Sequence, residues 1–172
     1  MKNLTETSPA SLSKEPRLLP LVSIILSVVL LLSPAPARWT ADFAGAWLSA
    51  TGTSHITDVD PPCIQIGNNR YNIVFWCTPV PLWACMFLAF GFAGSSITRY
   101  AIFTALCGSI FGVLVPLQVA LSIYLHQKGV RWSFAHYPIY ALLHFGGVIA
   151  LMGIAKRTIL RHREAAGQSA LP

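Results

Sequence analysis

Charge is what this chain has least of. Lys, Arg, Asp and Glu make up 10% of its 172 residues, and only 6 of those side chains are acidic, where a soluble domain carries about 25% charged residues. So little charge excludes both a water-soluble enzyme and a disordered tail, since each depends on a charged, solvated chain. Cysteine is scarce too. The four Cys stand at 63, 77, 85 and 107 without a Cys-x-x-Cys pair, which removes the usual signature of a thiol redox centre. The five His are scattered and the apolar stretches hold no carboxylate, so no set with metal-ligand spacing is present and neither a metal nor a cofactor is expected.

What the chain has in quantity is apolar sequence, 54% of residues at a mean hydropathy of +0.58. Four stretches reach the roughly 20 residues that a helix needs to cross a bilayer: about Leu18 to Ala37, Pro79 to Ile97, Ala101 to Leu125, and Phe134 to Ala155. The expected fold is an all-α membrane protein, a four-span bundle occupying residues 18–157. Residues 1–17 are read as a mobile cytoplasmic N-terminus and 158–172 as a basic cytoplasmic tail. Ser33 to Ala37 after a short apolar core imitates a cleaved signal, but its prolines fit a cleavage site poorly.

The net charge of +6 does not mark a nucleic-acid partner, because the basic residues lie at segment ends and form no stripe. They act as topology signals. With the termini cytoplasmic, Lys2, Lys14, Arg17, Arg99, Lys156, Arg157, Arg161 and Arg163 face inward, against Arg38, Arg70, Lys128 and Arg131 outside. That orientation in a cell membrane puts the loop 38–76 on the outer side and the basic tail against anionic lipid.

Within that loop Trp39, Phe43, Trp47 and Leu48 recur at helical spacing, which predicts an amphipathic helix lying in the membrane interface. The polar run through Asp58, Asp60, Pro61 and Pro62 ends any helix. Ile64, Ile66, Tyr71, Ile73 and Phe75 then alternate around Gly67, Asn68 and Asn69, which predicts a small β-hairpin leading into Cys77. A turn on Asn68 and Asn69 would pair Cys63 with Val74, against a Cys63–Cys77 disulfide. His55 and His126 are read as solvated loop or interface residues, and Gly108 with Gly112 as a GxxxG packing pair.

Polar groups at membrane depth are costly, so Cys77, Cys85, Cys107, Gln118, His136 and His144 are the candidates for function. Span directions place Cys77, Gln118 and His136 in the outer part of the bundle. A His beside a thiol can take its proton, and the thiolate can attack a carbonyl to form a thioester while a third group stabilises the oxyanion. His144, two turns after His136, is either a second base or a hydrogen-bonded core His. Arg131, five residues before His136, is the nearest cation in sequence.

These residues come in a telling order. An apolar span is followed by TADFAGAWLSATG, then by CIQIGNNRYNIVFWC ending at Cys77, PVPLWACMFLAF, VLVPLQVAL, and a last span opening with SFAH. This order, over about Leu18 to Arg157, resembles the exosortase and archaeosortase family of membrane-embedded cysteine transpeptidases, in a short form. The resemblance implies Cys77 as nucleophile and His136 as base and then acid. Gln118 stands where the family has Arg, Val115 where it often has Asn, and Thr78 and Pro79 where Ser and Gly usually follow the nucleophile. It also implies a partner: an exported protein anchored in the membrane by a C-terminal sorting signal, cleaved near a short motif and passed to an acceptor. The alternative keeps the fold without the chemistry, as an accessory or scaffold subunit beside other membrane subunits. A quinone-linked thiol oxidoreductase is the less favoured third reading.

Overall fold

In a computed structural model of the protein, residues 18–93 and 96–168 are described, with the backbone alone at 59 and 162–168. The expected mobile N-terminus, Gly94, Ser95 and the end of the basic tail lie outside the described residues. The chain folds as α1 (Leu18–Leu32), α2 (Ala35–Ala50), β1 (Ile56–Val59), β2 (Pro62–Ile66), β3 (Asn69–Asn72), α3 (Val80–Phe92), α4 (Ile97–Gln127) and α5 (Trp132–Gln168). A single 3-10 turn, Phe75–Cys77, joins β3 to α3.

Apolar helices dominate and mark a membrane protein. Helices α4 and α5 are long and apolar enough to cross a bilayer, while α1 and α2 reach that length only as a pair bent by 63°. The structure thus has two spanning helices, or three with the bent pair taken as one, where the sequence suggested four. Helix α3 has 13 residues, about 20 Å at 1.5 Å per residue. The first expected span, drawn to Ala37, ends at Leu32 instead. Pro34 and Pro36 have no N–H to continue the α1 ladder, and the chain restarts as α2 with the Ala35 amide held by Ser33 Oγ at 3.2 Å.

Helix α2 forms as expected and packs its small-residue face inward. Pro36, Thr40, Ala41, Ala44, Gly45 and Leu48 point inward, because small side chains let the helix approach α4 and the strands closely. Trp39 is left exposed, tilted against Trp83 at 6.4 Å between ring centroids, and Trp47 meets Tyr124 edge-on at 5.9 Å.

The strands make an antiparallel sheet in the order β1-β2-β3, one strand more than the expected hairpin. Ile56–Val59, read from sequence as part of a polar run, pairs with Pro62–Gln65 across a turn on Asp60 and Pro61. The hairpin register also differs. Ile66 pairs with Asn69 and Cys63 with Asn72, so the turn sits on Gly67 and Asn68. Among the described residues only glycines have positive φ, here Gly67 at 55°, and a two-residue turn of this hand needs such a residue at its first position. Asn68 and Asn69 would have required an Asn in that conformation.

Two buried clusters organise the bundle. Ala44, Leu48, Ile64, Tyr71, Ile73, Val119 and Ile123 join α2, the sheet and the C-terminal half of α4. Leu19, Leu82, Met86, Phe90, Phe111 and Leu151 join α1, α3, the other half of α4 and α5. On the far side of α5, Leu142, Phe145, Ile149 and Met152 stand largely exposed, as suits a face turned to lipid. Helix α4 is stopped just before Gly129, whose φ of 91° lets the Gly129 and Val130 amides bond back to His126 and Leu125 at 3.0 and 3.1 Å. This αL stop reverses the chain, so α5 starts beside the sheet.

Candidate functional site

The site forms where the 3-10 turn, the end of α4 and the start of α5 meet. The turn is closed by the Cys77 and Thr78 amides bonding to the carbonyls of Val74 and Phe75 at 2.8 and 3.1 Å. Thr78 Oγ1 donates to the Phe75 carbonyl at 2.7 Å and accepts from the Val80 amide at 3.4 Å. Thr78 and Pro79 therefore build a compact step from the sheet into α3, with Cys77 on its last residue. Cys77 is half-buried, and that burial pushes its thiol above the usual range. A thiol so placed needs a base at the moment of attack, because it does not rest as a thiolate.

Gln118 projects from α4, two residues after Pro116, and is 3% exposed. Its Nε2 donates to His136 Nδ1 at 3.1 Å and to Ser122 Oγ at 3.2 Å, while Ser122 Oγ donates to the Gln118 carbonyl at 2.8 Å. Its Oε1 is buried with no hydrogen-bond partner among the described residues. Gln118 thus holds His136 in place across the α4–α5 interface, and Nε2 is the ring nitrogen of His136 left for other work.

Cys77 and His136 line one cavity of about 320 Å³, with Asn69, Arg70, Tyr71, Asn72, Ile73, Val119, Ile123, His126 and Trp132 around them. The trio expected from the sequence is therefore brought together, through the cavity for Cys77 and His136 and through a hydrogen bond for His136 and Gln118. No hydrogen bond joins Cys77 Sγ to His136. In catalytic pairs such bonds often tighten only with substrate present.

Helix α5 carries more of the site than its His residues suggested. Trp132, His136, Tyr140 and His144 recur every four residues and stack in series: 4.8 Å and 9° for the first pair, 5.7 Å and 25° for the second, 4.1 Å and 23° for the third. Tyr140, unremarked in the sequence, lies within electrostatic reach of Cys77. His144 Nδ1 faces the Tyr140 carbonyl at 3.2 Å and its Nε2 makes no hydrogen bond of good geometry, although the Thr78 backbone is close.

Two basic expectations change place. Arg131 is exposed and does not line the cavity; the cation that does is Arg70. His126 is no solvated loop residue. It sits in the last turn of α4 against Tyr71 Oη at 2.7 Å, and Gln127 Nε2 donates to the same oxygen at 2.7 Å, leaving the phenol proton for His126 Nδ1. Burial raises the Tyr71 phenol above its ordinary range.

All four cysteines are free. Cys63 is buried in the ladder opposite Asn72, Cys85 faces outward and Cys107 lies half-buried on α4. No group of three or more His, Cys, Asp or Glu among the described residues can hold a metal. Comparison with known protein families, curated proteins and solved structures finds no match to this chain.

Proposed function

We propose that the protein is an exosortase-like thiol acyltransferase of the cell membrane, acting on the outer-face segment of a membrane-anchored protein. The observation that supports this reading best is the shared cavity of Cys77 and His136, with Gln118 bonded to the imidazole behind it. In this reading α1 and α3 complete a four-span bundle with both termini cytoplasmic, and the sheet covers the cavity on the outer side.

The chemistry is one acyl transfer in two steps. His136 takes the Cys77 proton as sulfur bonds to the substrate carbonyl carbon, and the tetrahedral oxyanion then collapses. The C–N bond breaks, and the departing amine leaves with the proton His136 had taken. An acceptor amine or water loses its proton to His136, attacks the thioester carbonyl and regenerates the thiol. Gln118 Nε2 is engaged with His136 and Ser122, so donors to the oxyanion come from backbone amides or from Arg70, the cation that lines the cavity.

A second reading has its own observation. Gln118 Nε2 donates to Nδ1, which puts the proton of a neutral His136 on Nε2, the wrong nitrogen for a base. A protein locked in that tautomer is an accessory or scaffold subunit of a larger membrane assembly. The two readings separate by labelling Cys77 with an activity-based thiol electrophile in wild type, Cys77→Ala and His136→Ala. Fast labelling that collapses in His136→Ala supports the enzyme; slow labelling indifferent to His136 supports the scaffold.

A further inference from the structure

The cavity has an unusual wall. Asn69, Arg70, Tyr71, Asn72 and Ile73 are consecutive, and all five line it. In a strand, neighbouring side chains point to opposite faces, so a cavity that touches both sets lies along the strand's edge. Strand β3 is the end strand of the sheet, and β2 occupies its other side.

The ladder shows which backbone groups face the cavity. The Ile73 amide bonds to the Pro62 carbonyl at 2.9 Å. In an antiparallel pair, bonded and non-bonded residues alternate, so Asn69, Tyr71 and Ile73 turn their N–H and C=O groups toward β2. Arg70 and Asn72 turn theirs outward, and among the described residues no backbone partner meets them on that side. This leaves a donor and acceptor pair at Arg70 and another at Asn72, two residues on. Another extended backbone matches that spacing; a lipid tail or a helix does not. The Arg70 side chain is exposed, and no carboxylate lines the cavity.

We infer that the free edge of β3 is a docking strand: an extended peptide adds beside Asn69–Asn72 as a fourth strand, pairs an acidic side chain with Arg70, and runs on past Cys77. This rests on the acyltransferase reading and names its substrate chemistry, an extended acidic segment directly outside the membrane. Peptide addition to a sheet edge draws affinity from main-chain hydrogen bonds and specificity from alternate side chains. Here Tyr71 and Trp132 supply apolar walls and Arg70 the charge preference.

The test uses the full chain in detergent micelles carrying Cys77→Ala, and a fluorescent peptide, Thr-Val-Thr-Glu-Thr-Val-Thr. Saturating peptide is expected to slow amide hydrogen exchange at Arg70 and Asn72 while Tyr71 and Ile73, already bonded to β2, change little. Asn72→Pro removes an outward amide without breaking the β2 ladder and is expected to weaken binding about tenfold, while Asn72→Ala, which keeps the amide, is expected to weaken it far less. Arg70→Glu is expected to reverse the preference from the Glu peptide to its Lys counterpart. The inference is overturned if neither peptide binds, or if binding ignores both Asn72→Pro and N-methylation of alternate peptide amides. It is also overturned if Arg70→Ala makes the protein self-associate while peptide binding is unchanged, which would make Arg70 a guard of the edge. Binding needs no chemistry, so the two ideas fail separately. Edge-dependent binding in a protein whose wild type transfers no acyl group would sink the transferase and keep the docking strand.

Discussion

Replacing Gln118 by Glu should make Cys77 more reactive, which is the reverse of what burying a new charge usually does. Gln118 Nε2 donates to His136 Nδ1 at 3.1 Å, so a neutral imidazole keeps its proton on Nε2. A carboxylate at the same position can only accept. It would force the proton onto Nδ1 and leave a lone pair on Nε2, the nitrogen free to serve Cys77. General-base assistance contributes on the order of 10²–10⁴ in rate, and even its lower part is a large signal. Against it stands the cost of a carboxylate at a 3% exposed position, several kcal/mol before it pairs with imidazolium. The net expectation is lower thermal stability together with alkylation of Cys77 faster by about tenfold or more at neutral pH, 1.4 kcal/mol in barrier. Gln118→Leu removes the tautomer control, leaves the imidazole free to carry its proton on either nitrogen, and should react at a rate between those of wild type and Gln118→Glu. The assay is peptide-level mass spectrometry of Cys77 after timed iodoacetamide treatment, with melting followed in parallel. Equal rates in wild type, Gln118→Glu, Gln118→Leu and His136→Ala would refute the idea that this imidazole serves this thiol.

Three other outcomes follow from the packing and the charges. Tyr71→Phe deletes the oxygen that joins His126 and Gln127, so melting should show a loss of about 1–3 kcal/mol; an unchanged melting temperature would remove that cluster from the fold's support. A Cβ at Gly91 would overlap Ser23 Oγ, the atom that bonds Tyr100 Oη at 3.0 Å. Gly91→Val should therefore cut the yield of folded protein, while Gly153→Ala, with nothing within 4 Å, should not. Burial raises the Cys77 thiol's pKa and the thiolate is the reactive form, so in His136→Ala the alkylation rate should keep climbing at pH values where a free cysteine has levelled off. A profile matching free cysteine would contradict the burial argument.

The long helices and the trio of Cys77, Gln118 and His136 were legible because both follow from local pattern. Long apolar runs marked α4 and α5 as spanning helices but overstated α1 and α3, which are too short to cross alone, and depth along the helices brings polar residues to a common level. The sheet was legible only in part. Alternation marked Ile64 and Tyr71 correctly as inward positions, but register depends on which residue takes the left-handed turn, and Gly67 outcompetes Asn68 by one place. Strand β1 was missed because Thr57 and Asp58 look polar in isolation, and pairing with β2 decides their conformation. The Arg70 contribution was hidden by the same cause, since only a register shows which residues meet the cavity. Tyr140 had a signal, its spacing of four from both His136 and His144, and it went unread beside the more familiar chemistry of the histidines.

The stack on α5 makes the protein its own indicator. Trp132 lies parallel to His136 at 4.8 Å, and an imidazolium ring at that distance quenches indole emission far better than a neutral imidazole. The fluorescence difference between wild type and Trp132→Phe therefore reports the charge on His136 without any added label. The four rings span about 18 Å along the helix, and a change in the charge on His136 becomes visible on the timescale of a stopped-flow mixing experiment.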